Sequence, residues 1–139
     1  MMTISKSREI RASVDRVWEI ISDVDNEPKY YEGLNSVKNL SRRGNVTERE
    51  VVVGHFNHES RQTVVLKPAR SVEVKMTKGP IIGTRLTTLK AMTGSKTRVG
   101  VSWNIEFRVP AFVQGTVKEE VEKGTENALK RIAKEAESG

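Results

Sequence analysis

The chain has 139 residues, with 24 Lys and Arg against 18 Asp and Glu for a formal charge of +6. At that length one domain, residues 1–139, buries about two thirds of the surface its unfolded chain exposes and needs no covalent staple. Cysteine is absent, which excludes disulfides, thiolate metal sites and thiol nucleophiles. No stretch approaches the roughly 20 apolar residues of a membrane span, and MMTISKSREIRASV at the start holds no apolar run of signal-peptide length, so a soluble, cytoplasmic protein is expected. Residues 111–139 hold five basic and six acidic side chains. The positive excess therefore lies in residues 1–110, and no uniformly basic arm exists.

After a short strand-like start, Ser13 stands where an N-cap belongs and Asp15 places a negative charge at the positive end of a helix dipole. Val14, Val17, Trp18, Ile21 and Val24 then recur at the 3.6-residue period, which predicts a helix over residues 14–24. Pro28 cannot lie inside that helix, and Gly33 is an end signal, so a second short helix over residues 27–32 is expected to carry Tyr30 and Tyr31. DVDNE (residues 23–27) has the alternate carboxylates of a calcium loop, but Pro28 and Leu34 occupy the positions of its Gly and bidentate Glu.

Residues 36–108 read as short strands of an antiparallel meander, separated by turns at RRGN (42–45), FNH (56–58), KPAR (67–70), KGPIIG (78–83) and TGSK (93–96). Val72, Val74 and Met76 alternate with polar residues, as do Val99, Val101, Trp103, Ile105 and Phe107, giving one buried and one wet face. Both histidines, His55 and His58, fall at the second turn. Asn57-His58 suits a tight hairpin, because Asn tolerates positive φ, and a zinc site would need further ligands that neither His nor Cys can supply. Val51, Val53 and His55 alternate with Val52, Gly54 and Phe56, so the face of His55 stays open.

Pro110 closes the last strand, and Val113, Val117, Val121, Ala128 and Ile132 return to helical spacing. The resulting helix exceeds 30 Å at about 1.5 Å per residue. Gly115 and Gly124 inside it cost about 1 kcal/mol each relative to Ala; close helix-to-sheet contact or tolerated exposure explains them, or else Gly124, Thr125 and Val121 leave room for a ligand. Element order is strand, two helices, six strands, long helix.

That order, with REIRASVDRVWEIISDVDNEPKYYEG (8–33), VVVGHFNHESRQTVVL (51–66) and VEVKMTKGPIIG (72–83), resembles the START-like superfamily, in its polyketide cyclase and coenzyme Q-binding branch. Val17, Trp18, Asp23, Pro28 and Tyr30 match the Val-Trp pair, Asp and Pro-aromatic turn of that branch's first helix. Ile81 and Ile82 follow Gly79-Pro80 where branch members often carry an aromatic, which speaks against a quinone-stacking pocket. The resemblance implies an α+β helix-grip fold: a curved antiparallel sheet of about seven strands wrapped around the long C-terminal helix, with two short helices after the first strand.

The resemblance also implies a carrier or sensor of a small lipophilic molecule, held between sheet and helix. Its expected binding residues are Tyr30, Tyr31, His55, Met76, Ile81, Ile82, Trp103, Val117, Val121 and Thr125, with Trp18 packing structurally and no cofactor or metal. Tyr30, Tyr31 and the turn at 79–82 would flank the mouth. Two alternatives follow from the same branch. One is polyketide cyclase or aromatase chemistry, for which His55, Tyr30 and Arg85 are the candidate proton-transfer groups. The other is a ribosome- or RNA-associated regulator using a basic outer face of Lys67, Arg70, Lys75, Arg85 and Lys90 with Arg42 and Arg43, in which aromatic interleaving for base stacking is missing.

Overall fold

The computed structural model describes residues 2–138. Seven antiparallel strands form one sheet in the order β1-β7-β6-β5-β4-β3-β2. They are β1 (Met2–Ile10), β2 (Leu34–Arg43), β3 (Val46–Val53), β4 (His58–Lys67), β5 (Ser71–Lys78), β6 (Ile81–Thr93) and β7 (Lys96–Phe107). Strands β2 to β7 are a meander, and β1 returns the start of the chain to the free side of β7, with Ile4 opposite Trp103. The helix-grip expectation holds: helix α1 (Val14–Ile21), a 3-10 helix (Val24–Lys29) and the long helix α2 (Ala111–Ser138) all lie on one face of this sheet.

Alternation decides which face that is. Val72, Val74 and Met76 of β5 and Val99, Val101, Trp103, Ile105 and Phe107 of β7 are all buried in one apolar cluster, as their spacing predicts. Gly83 in β6 has φ +134°, and a Cβ there would collide with the Asn104 carbonyl and come within 2.9 Å of the Ile105 Cα. Only glycine permits this approach. Bulges break the register of edge strand β2 between Leu34 and Ser36 and between Asn39 and Ser41, twisting an edge that is otherwise open to further pairing.

Three element boundaries differ from the periodicity. The Ser13 hydroxyl does cap α1, accepting from Arg16 N at 3.2 Å. The helix nevertheless ends at Ile21: the Ser22 amide makes the last helical bond, to the Trp18 carbonyl at 2.9 Å, and the Ser22 hydroxyl donates to the same carbonyl at 2.6 Å. The second helix starts earlier than residue 27 and contains Pro28, and Tyr30 and Tyr31 follow it, both amides donating to the Glu27 carbonyl at 2.9 Å. The third difference is the β5–β6 turn, which is Gly79-Pro80 alone: Ile81 and Ile82 are already paired with Phe107 and Glu106 of β7.

Helix α2 is about 42 Å long at 1.5 Å per residue, and its two halves pack differently. Thr125, Ala128, Leu129, Ile132, Ala133 and Ala136 are buried, whereas Val113, Val117 and Val121 are only half-buried. Polar ties follow the same division. Arg131 reaches the Tyr30 carbonyl at 3.1 Å and Glu32 at 2.7 Å, Arg16 reaches the Glu135 carbonyl at 3.1 Å, and Lys6 meets Glu126 at 2.7 Å. Over residues 111–121 the long-range polar contact is His55 with Glu120, at 3.2 Å.

Candidate functional site

The inner face of the sheet is apolar except for one row and for Thr97 of β7, whose hydroxyl donates to the Ala12 carbonyl at 2.8 Å. Thr47 and Arg49 of β3, Ser60 and Gln62 of β4, and Arg85 and Thr87 of β6 are buried beside Val51, Val64, Val74 and Met76. Arg49 points inward because it shares the phase of Val51, two residues on. Glu27 descends onto this row from the 3-10 helix. Its Oε1 accepts from Arg49 Nη2 at 2.5 Å, and its Oε2 accepts from Arg85 Nη2. Side-chain exposure is 0% for Arg49, 6% for Arg85 and 9% for Glu27. Two cations thus share one carboxylate, and the cluster holds one positive charge in excess.

The two arginines are not equivalent. Every nitrogen of Arg49 has an acceptor: Nε and Nη2 donate to Gln62 Oε1 at 3.0 and 2.7 Å, and Nη1 donates to the Val24 carbonyl at 3.2 Å. Arg85 hydrogen-bonds through Nη2 to Glu27, while its buried Nε has no partner among the described residues. Aromatic rings cover Arg85 instead. Its guanidinium carbon lies 4.3 Å from the centroid of Tyr31 and 5.6 Å from that of Trp103, within the range of cation–π attraction. Burial works to lower the Arg85 pKa, but the Glu27 carboxylate more than offsets it and the group stays above its ordinary value. Burial also holds the Tyr31 phenol above its usual value, with Arg85 opposing.

A small cavity of about 20 Å³ adjoins the cluster, lined by Ile20, Ile21, Tyr30, Tyr31, Ile132 and the Glu27 side of the row. That is space for about one water, far less than the several hundred Å³ of a drug-sized pocket.

The expected binding residues divide accordingly. Tyr30 and Tyr31 border the cavity, and Met76, Trp103 and Thr125 are buried in the wall between sheet and α2. Trp103 Nε1 donates to Thr125 Oγ1 at 3.0 Å, and that hydroxyl donates to the Val121 carbonyl at 2.7 Å, so both polar groups are satisfied locally. Val117, Val121 and Ile81 pack half-buried against the core. Ile82, opposite Glu106, lies on the other face by alternation. His55 is outside the interior: it sits in the turn before β4, with 79% of its side chain exposed. Asn57 takes the positive φ (52°) foreseen for this hairpin, but His58 is the first residue of β4 rather than part of the turn.

Arg85 therefore leaves the basic outer face in which its sequence neighbourhood had placed it. That face is also interrupted by acids. Lys75 lies 3.7 Å from Glu73 and Arg61 2.9 Å from Glu50, while Arg42, opposite Thr47, belongs to the inner side and meets Asp25 at 3.4 Å. Glu27, Arg49 and Gln62 were missed as site residues. The available signal was a charged or amide side chain in the apolar phase of a strand, Arg49 with Val51 and Gln62 with Val64.

The profile of the family described as polyketide cyclase / dehydrase and lipid transport matches residues 1–137. The chain belongs to this START-like family. Solved structures with the same fold include the Zhui aromatase/cyclase from Streptomyces sp. R1128, at 15% identity and a TM-score of 0.87 over 98% of this chain and 93% of that one. A protein from Thermus thermophilus is similar at 17% identity and a TM-score of 0.81, over 99% and 98% of the two chains. A START superfamily protein from Mycobacterium smegmatis has 17% identity and a TM-score of 0.78, over 98% and 97%. At these identities the likeness is one of fold. No curated protein matches the chain by sequence. Among the described residues no helix is long and apolar enough to cross a membrane.

Proposed function

We propose that the protein binds a small lipophilic molecule, such as a lipid, a polyketide-like polycycle or a quinone, between its sheet and α2, and acts as a carrier or sensor. The observation that carries this reading is the uneven hold on α2. Its second half is packed and tied, while residues 111–121 rest on the apolar core through half-buried valines and one exposed contact, His55 to Glu120. Gly115 and Gly124 support it, because a Cβ at either would meet nothing within 4 Å. Close packing does not require these glycines, so what they add to the helix is flexibility. Lifting the first half of α2 would open the wall formed by Met76, Trp103 and Val121, the kind of aliphatic and aromatic lining that small-molecule sites use.

The test is an amide NMR titration with a fatty acid, a quinone and a polycyclic phenol. Saturable shifts are expected at Met76, Trp103 and Val121, and Val121→Lys should abolish them in a variant that stays folded. Shifts confined to exposed residues, or identical uptake by the variant, would refute an interior site.

A second reading is cyclase or aromatase chemistry, favoured by one observation: Arg85 offers a buried N–H that would stabilise an enolate oxygen developing on a bound polyketone. His55 is too exposed to share that step. Turnover of a poly-β-keto thioester, lost in Arg85→Met, would support it; no turnover by the unmodified protein would end it.

A further inference from the structure

The interior holds two arginines and one glutamate, and this imbalance bears on what enters it. A buried cation without a counter-charge is expensive. Folding alone would be served by a one-to-one pair, and Arg49 already supplies it, with Gln62 and the Val24 carbonyl completing its hydrogen bonds. Arg85 adds to that pair only a donor for the second Glu27 oxygen. It brings the surplus charge and an Nε–H that no acceptor reaches, at a side chain 94% buried. Its covering is soft: Tyr31, half-buried, lies across the guanidinium and also borders the cavity. A ring held by cation–π attraction is displaced when a stronger partner for the cation arrives, and a carboxylate is such a partner, because its planar oxygens match a guanidinium's N–H groups.

We infer that the ligand is an acidic amphiphile, with its carboxylate bound at Arg85 Nε under a displaced Tyr31 ring and its apolar body along Met76 and Trp103. The inference rests on the interior site proposed above and adds the chemical class of what fills it. One anion brings the cluster to neutrality, two positive groups against two negative. A neutral lipid leaves the charge unanswered even where an uncharged oxygen accepts from Nε–H.

The experiment compares each acid with its primary amide, which matches it in size but carries no charge. Dodecanoate and dodecanamide, and 2-naphthoate and 2-naphthamide, are titrated at pH 8 by calorimetry and by the fluorescence of the two tryptophans. The acids should bind at least 10-fold tighter than their amides. In Arg85→Met that preference should fall below about threefold. Arg85→Met removes the surplus charge and leaves the Glu27–Arg49 pair, so it is expected to fold; Arg85→Lys, which keeps the charge but not the planar fork, should retain part of the preference. Acid and amide binding equally well would overturn the inference and leave the interior site standing. If none of the four compounds binds, the interior site fails with it. A preference that survives Arg85→Met would place the carboxylate elsewhere and refute the assignment to Arg85.

Discussion

Glu27 is the residue on which the interior turns. Each of its carboxylate oxygens accepts from a different arginine, one on β3 and one on β6, so it joins two strands that are not neighbours in the sheet. Glu27→Gln would leave two guanidiniums buried with an amide between them. Removing one partner of a buried ion pair costs about 3–5 kcal/mol, and urea unfolding should show a loss of that order. A change below about 1 kcal/mol would mean that water already reaches the cluster. The tyrosines give a pH dependence at the same scale. Burial raises both Tyr30 and Tyr31 above the usual phenol value, so the folded state holds their protons more tightly than the unfolded chain does. Their contribution is complete below about pH 10 and is lost as the pH rises through the folded values. Stability measured from pH 8 to 11 should fall at the alkaline end, and Tyr31→Phe should remove part of the fall.

Among the elements, α2 is the one whose design needs an account. A helix meant only to pack would bury a stripe along its whole length; this one buries Thr125 to Ala136 and leaves Val113, Val117 and Val121 half-covered. Gly124 stands at the junction, with open space where a Cβ would go. Gly124→Ala should therefore stabilise the protein by about 1 kcal/mol, the helix-propensity difference. If the first half of α2 opens for a ligand by bending there, the same variant should take up dodecanoate more slowly in stopped-flow fluorescence. Greater stability with an unchanged rate would move the hinge elsewhere. Tight α1 shows the opposite economy, capped by Ser13 and closed by Ser22 within two turns.

Over the whole molecule, the positive charge is divided between surface and interior. The +6 excess does not form one continuous basic surface, since Lys75, Arg61 and Arg42 have acidic neighbours and Arg49 and Arg85 are buried. Part of it lies inside, at Arg49 and Arg85, where it cannot face a nucleic acid. A ligand that binds only the folded state should stabilise the whole domain by about 2.7 kcal/mol at one hundred times its Kd. Thermal unfolding with and without 2-naphthoate measures this directly. No shift at saturating concentration would mean that binding is not confined to the native fold.

Much of this architecture was legible without coordinates. The two-residue alternation in β5 and β7, the Ser13 cap and the family resemblance of residues 8–33, 51–66 and 72–83 carry the sheet, the buried face and the helix-grip order. These are short-range signals: period and cap chemistry depend on residues a few positions apart. What tertiary structure alone decided is the partnership of charges. Glu27 is 22 residues from Arg49 and 58 from Arg85, and nothing in the neighbourhood of any of the three announces the other two. Arg85 illustrates the difficulty. Its strand, IIGTRLTTLKAM, has Leu86 in one phase and Leu89 in the other, so alternation assigns no inward face. Only pairing with Trp103 on β7 and Val74 on β5 turns Arg85 toward the core. Sequence determined which segments become strands and helices, because backbone preferences are local; tertiary structure decided which cation stays unneutralised inside, because that depends on distances between segments that the chain's own order leaves far apart.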